Sequence, residues 1–280
     1  MEKISSRVVV SLILSFLQSF FMFGAIATAI VYVAFLSQWG FQVNIANSGY
    51  YAGLSHHIST EMENRILPTG LPLEVLEDVV DEYMVRRDLE RYVEARFNRT
   101  QVTLSEEIIR TRLSQNISRF LDSVDEEVSP ETVGEIIEHM LGIYRDSLQF
   151  PFVDQLALLR YTLRIGVVGV AVGSLICGLF TGTLINKIQN WQHRAYRYWS
   201  YILGGTGLML VAIPLWLWAE APHRQLAIRP LFVFDFMVSY IEQGLELFKI
   251  SGGVLLLAAV GLGVLSITSV PEMKRMKKRW

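Results

Sequence analysis

Four apolar stretches constrain what this chain can fold into more than anything else in it: residues 8–36, 165–185, 201–218 and 250–270. The first alone runs 29 residues without a charge. A helix rises about 1.5 Å per residue, so about 20 apolar residues cross a hydrocarbon core roughly 30 Å thick. A hydrophobic fraction of 51% gathered into such blocks reads as a membrane protein. Lys3 and Arg7 ahead of an apolar run also suit a signal peptide, with Ala25-Ile26-Ala27 resembling a cleavage site. The run continues well past that point to Leu36, which favours a span.

The charges sort by side. Residues 37–160 hold 21 Asp and Glu, 11 Arg and no Lys, a net charge of −10, while the remainder carries +8. Short loops rich in Lys and Arg stay in the cytoplasm. Lys187, Arg194 and Arg197 lie between the second and third spans, and Lys274, Arg275, Lys277, Lys278 and Arg279 follow the fourth. Both termini are therefore expected inside, with residues 37–160 outside, in a multi-pass plasma-membrane protein. Trp191, Tyr196, Tyr198 and Trp199 at one end of the third span, and Trp216 and Trp218 at the other, form the expected interfacial belt. The terminal basic cluster either fixes topology or also attracts anionic lipid headgroups.

The polar stretch reads as amphipathic helices. Pro68-Thr69-Gly70-Leu71-Pro72 makes a turn. Leu73, Leu76, Val79, Val80 and Tyr83 then share one helical face, followed in shifted phase by Leu89, Tyr92, Val93 and Phe97, as a kinked helix or two short ones. Thr103 with Glu106 matches a capping box opening a helix striped by Ile109, Leu113, Ile117, Phe120, Leu121 and Val124. Ser129-Pro130 opens another, striped from Val133 to Leu148, which Pro151 ends. Cys177, the only cysteine, lies in the second span, so no disulfide staples this domain.

The expected fold class is all-α: four transmembrane helices, with an all-helical extracytoplasmic domain between the first and second. The segments are the amino terminus and first span (1–36), outer helical bundle (37–160), second span (161–186), basic cytoplasmic loop (187–200), third span (201–218), outer loop with an amphipathic helix (219–249), fourth span (250–270) and basic tail (271–280). This layout resembles that of bacterial chemoreceptors and sensor kinases. The resemblance is one of layout alone, because only about a dozen residues follow the second span before the third begins.

Catalytic signatures are missing. The sequence has no HExxH, nucleotide-binding glycine loop or GxSxG. Glu106-Glu107-Ile108-Ile109-Arg110 approaches an intramembrane-protease motif but is one residue short and lies in a polar helix. His57 and Glu61 have an i, i+4 spacing without further ligands, so no metal site is expected.

Two groups of residues stand out. Asp235, Ser239, Glu242 and Glu246, spaced 4, 3 and 4, make one polar stripe on an apolar helix that either lies in the outer interface or, the favoured reading, extends the fourth span outward to nearly 40 residues. Arg160 and Arg164, one turn apart at the start of the second span, are the partners expected to brace those carboxylates; the other reading is a cation-attracting vestibule. Gly169 with Gly173, and Gly178 with Gly182, are GxxxG pairs in the second span, and Gly263 lies on a small-residue face of the fourth. Small residues let helices approach closely in lipid, within one chain or between chains. No Asp, Glu, Lys, Arg or His lies between the span borders, only Gln18 and scattered Ser and Thr.

The function expected is that of a non-enzymatic accessory, scaffold or sensor-type subunit whose outer domain binds a partner or an envelope component. The alternative is a transporter or channel subunit with an acidic outer vestibule. No cofactor, metal or nucleic acid is expected. The expected partners are membrane lipid and another membrane protein or a second copy.

Overall fold

The computed structural model describes residues 6–124, 128–149, 151–189, 192–225 and 227–276. Among them the regular elements are all helical: α1 (Ser6–Val31), α2 (Gln38–Asn47), α3 (Tyr50–Ile66), α4 (Glu82–Asn98), α5 (Glu106–Val124), α6 (Pro130–Leu148), α7 (Pro151–Ile188), α8 (Gln192–Glu220) and α9 (Leu231–Met276), with short 3₁₀ and π turns between some of them. Four segments are long and apolar enough to cross a membrane, and they fall on α1, α7, α8 and α9. Lys3, Trp191 and the tail residues Lys277, Lys278 and Arg279, read above as topology and interface signals, lie outside the described residues.

The chain divides into two compact units. The polar unit comprises Gln38–Arg160 with Ala227–Ser239, and the span unit comprises Met1–Ser37, Tyr161–Leu226 and Tyr240–Trp280.

In the polar unit, α3 places Tyr50, Leu54, Ile58, Met62 and Ile66 at helical spacing, all buried. This stripe packs against α4 and α6, and α5 packs on α6. Gly49 turns the chain from α2 into α3 at φ +70°, a conformation glycine adopts without a side-chain clash. Ser129 caps α6 by accepting from Thr132 N at 3.4 Å, with Pro130 in the first turn. The buried face of α6, Ile137, Met140, Leu141, Tyr144 and Leu148, follows the expected stripe.

Two local expectations are corrected. Residues 73–83 do not share one helical face: Leu73–Leu76 is a 3₁₀ turn, and Asp81 restarts the chain by accepting from Met84 N at 2.7 Å, so α4 begins at Glu82 and Tyr83 is exposed. Asn116 holds that turn by donating to the carbonyls of Val75 (3.1 Å) and Glu77 (3.0 Å). The capping box of Thr103 and Glu106 does not form either. α5 starts after Ser105, whose carbonyl accepts from Ile108 and Ile109, and Glu106 turns to Arg145.

In the span unit, α1 packs along α8. Ile30 of α1, Leu210 of α8 and Phe248 of α9 meet in one apolar cluster, and Ile185 of α7 joins Tyr198 and Ile202 of α8 in a second. α8 is a continuous 29-residue helix with Pro214 inside it. α9 runs 46 residues, so the helical extension expected for the fourth span is present. α8 and α9 come close at two glycines: a Cβ on Gly207 would lie 2.9 Å from the Gly252 carbonyl, and one on Gly252 would lie 2.9 Å from the Gly207 carbonyl.

Candidate functional site

The carboxylates of the polar stripe divide between the two units. Asp235 falls in the polar unit and Glu242 and Glu246 in the span unit; Asp235 and Glu246 are exposed. Glu242 is held by a partner that spacing along the helix did not single out. Arg224 donates to its Oε1 through Nε at 3.1 Å and Nη2 at 2.6 Å, and His223 Nε2 lies 3.6 Å from the same oxygen. Arg160 places its guanidinium 5.3 Å from the centre of the Phe97 ring, and Arg164 is exposed on α7. Phe232 and Phe236 of the 227–239 segment do the packing in the polar unit. Phe232 and Phe236 meet Tyr50 at 5.0 and 5.5 Å between ring centres, and Phe236 meets Phe41 at 5.4 Å. Gly53 makes room for them, because a Cβ there would lie 2.5 Å from Phe232 Cβ.

One carboxylate of the polar unit is turned inward. Asp88, fully buried, accepts from Ser105 N (2.7 Å), Ser105 Oγ (2.8 Å) and Tyr144 Oη (2.9 Å), while Arg87 donates to Ser105 Oγ at 2.6 Å. One carboxylate thereby ties α4, the start of α5 and α6 together. Around it, Arg145 makes a two-pronged contact with Glu106, Arg112 reaches Asp81, and Arg110 pairs with Glu138. These pairs hold Glu106 below the usual carboxylate range through the Arg145 hydrogen bond. Asp81 is lowered first by the Met84 N–H and then by Arg112. A buried carboxylate engaged as fully as Asp88 is structural. Among the described residues, no group of three or more His, Cys, Asp or Glu could hold a metal.

The hydroxyls and amides of the spans, scattered in the linear sequence, converge in space. Ser11, Ser15, Gln18 and Ser19 lie on one face of α1 and are all buried. Ser15 donates to the Ser11 carbonyl (2.7 Å), Ser19 to the Ser15 (3.0 Å) and Ile202 (3.2 Å) carbonyls, Thr206 to the Ser19 carbonyl (3.2 Å), and Gln189 to Ser11 Oγ (2.7 Å). Thr181 donates to Gln18 Oε1. Ser200 of α8 donates to the Ala259 carbonyl of α9 at 2.7 Å. The 4-residue spacing of Ser11, Ser15 and Ser19 was the sequence signal for this seam.

The glycines separate into two classes. Gly178 and Gly182 are buried against Gln18 and Trp199, and a Cβ on Gly263 would meet Ser200 Oγ at 3.4 Å. Gly166, Gly169 and Gly173, about one and a half to three and a half turns further toward the start of α7, meet nothing within 4 Å. The surrounding side chains are equally open, Ile165 being 83% exposed. α7 therefore presents a bare surface with three small residues on one face; on α9, Gly253 and Gly261 also meet nothing within 4 Å. No protein-family model, curated protein or solved structure matches this chain.

Proposed function

We propose that this chain is a non-enzymatic plasma-membrane protein, an accessory, scaffold or sensor-type subunit. Its spans follow α1, α7, α8 and α9, its termini are cytoplasmic, and residues 37–160 form an outer helical domain that binds a partner or an envelope component. The observation that carries this reading is the bare face of α7. Glycine gives a helix in lipid close approach to another helix, and lipid alone gains nothing from it. Gly178 and Gly182 of the same helix meet a neighbour within the chain, whereas Gly166, Gly169 and Gly173 do not. A second helix, from another membrane protein or another copy, fits that surface.

A photoreactive residue at Val170, on the same face, tests it in native membranes. A discrete crosslinked protein band is expected; labelling of lipid alone overturns the reading. For the topology, cysteines placed at Ser123 and at Lys187 in a Cys177→Ser background are exposed to an impermeant thiol reagent in intact cells. Labelling is expected at 123 and not at 187, and the reverse pattern overturns the orientation.

A further inference from the structure

Between α1 and the last turns of α7 runs a groove of about 410 Å³, open along one side. Phe21, Ile26, Leu175 and Leu179 make its walls apolar, and Thr183 and Asn186 make one end polar. Gly178 and Gly182 form its floor. A Cβ on Gly178 would stand 3.5 Å from Gln18 Nε2, and one on Gly182 would stand 3.4 Å from the Trp199 ring, so any larger residue would fill the space. Trp199 itself is fixed by donating to Asn186 Oδ1 at 3.1 Å.

Gln18 lines this groove while only 6% exposed. Its Oε1 accepts from Thr181, but its Nε2 has no acceptor among the described residues. An amide donor left unmatched in apolar surroundings costs about 1–3 kcal/mol or more, so an occupant offering an acceptor gains by entering. The polar end also lies beside positive charge: Lys187 follows Asn186 and is exposed, and Arg194 and Arg197 are exposed in the first turns of α8.

We propose that this groove is a binding site for one acyl chain of an anionic membrane lipid. The chain lies along Leu175, Leu179, Phe21 and Ile26, an ester carbonyl accepts from Gln18 Nε2, and the headgroup sits toward Lys187 and Arg194. A transmembrane helix suits the site less well. It is about 10 Å across, and a groove of about 410 Å³ open along one side accommodates it less readily than a single acyl chain. The proposal rests on the reading that α1, α7, α8 and α9 lie in a bilayer. It is independent of what covers the Gly166–Gly173 face.

The test uses the full-length protein in phosphatidylcholine vesicles doped with phosphatidylglycerol that carries a photoreactive acyl chain. Labelled peptides are mapped after irradiation. Labelling of residues 18–26 and 174–186 is expected to exceed that of the exposed α9 surface at Leu257 and Val260, and unlabelled phosphatidylglycerol should compete better than phosphatidylcholine. Gly182→Leu should abolish groove labelling. Gln18→Leu, which leaves the floor intact, should lower it about tenfold, the effect of one lost hydrogen bond to a partly desolvated group. Equal labelling of the groove and α9 overturns the site, as does a groove left unlabelled while α9 is labelled. Absence of label from α9 as well overturns the membrane reading, and this site with it.

Discussion

The polar unit buries Leu54, Ile58, Met62, Leu89, Ile109 and Leu141 around one fully engaged carboxylate, Asp88, and turns its charges outward. The span unit reverses that arrangement: it buries Ser11, Ser15, Gln18, Ser19 and Thr206 along its seam and leaves Ile165, Leu179, Phe180 and Leu257 exposed. Both are made of helices, yet different forces hold them. The first relies on removal of apolar surface from water, which contributes roughly 25 cal/mol per Å². Between helices in lipid that drive is absent, and close approach at small residues with interhelical hydrogen bonds takes its place. In one unit, then, large side chains carry cohesion, and in the other small residues and interhelical hydrogen bonds add to its apolar clusters.

Substitutions that invert these roles should break the contrast most sharply. Gly252→Leu drives a side chain into the Gly207 carbonyl of α8, a backbone contact that cannot swing aside. It should abolish a monodisperse detergent-solubilised protein on size exclusion, whereas Gly134→Leu, at an α6 glycine with nothing within 4 Å, should leave the profile unchanged. Next in size is Asp88→Ala, which strips Ser105 and Tyr144 of their acceptor. Breaking such a buried network costs about 3–5 kcal/mol, seen as a lower midpoint for the polar unit in thermal or urea unfolding. Replacement of one seam hydroxyl, Ser19→Ala, should cost only about 0.6 kcal/mol, the average for hydrogen bonds between helices in lipid, in a reversible unfolding assay in mixed micelles.

The smallest effect is one of pH. Asp81 and Glu106 are depressed by their partners in the folded state. Their stabilisation is therefore complete above the ordinary carboxylate range and is lost as pH falls below about 4. Both are partly exposed, so the loss is modest, and Arg145→Met should remove the part that belongs to Glu106. A titration of unfolding midpoint against pH, wild type beside R145M, measures it; a midpoint unchanged between pH 5 and 3 contradicts the pairing.

The spans were legible because length and apolarity are summed properties of many residues, insensitive to any one contact. The α6 start at Ser129-Pro130 was legible because both signals are local. The start of α5 was not: the pattern favoured Thr103, but Ser105 is fixed at the helix entrance by Asp88, 17 positions earlier, and no local pattern records that contact. The partner of Glu242 was hidden for the same reason. Arg224 comes from a short turn with no periodicity, 18 residues away. For the glycines, spacing flagged Gly169 with Gly173 and Gly178 with Gly182 alike. Only the packed structure distinguishes the buried pair from the open one, because sequence records a small residue but not what stands opposite it.

That open pair leads to the measurement that tests the account most directly. Protein purified from native membranes in mild detergent is weighed as an intact particle by native mass spectrometry, wild type beside a Gly169→Leu, Gly173→Leu double variant. The account predicts a wild-type mass above one chain plus bound lipid, by a second copy or another membrane protein. It also predicts that the double variant, still folded, falls to a single chain. A wild-type particle of one chain, or an assembly that survives both leucines, would contradict it.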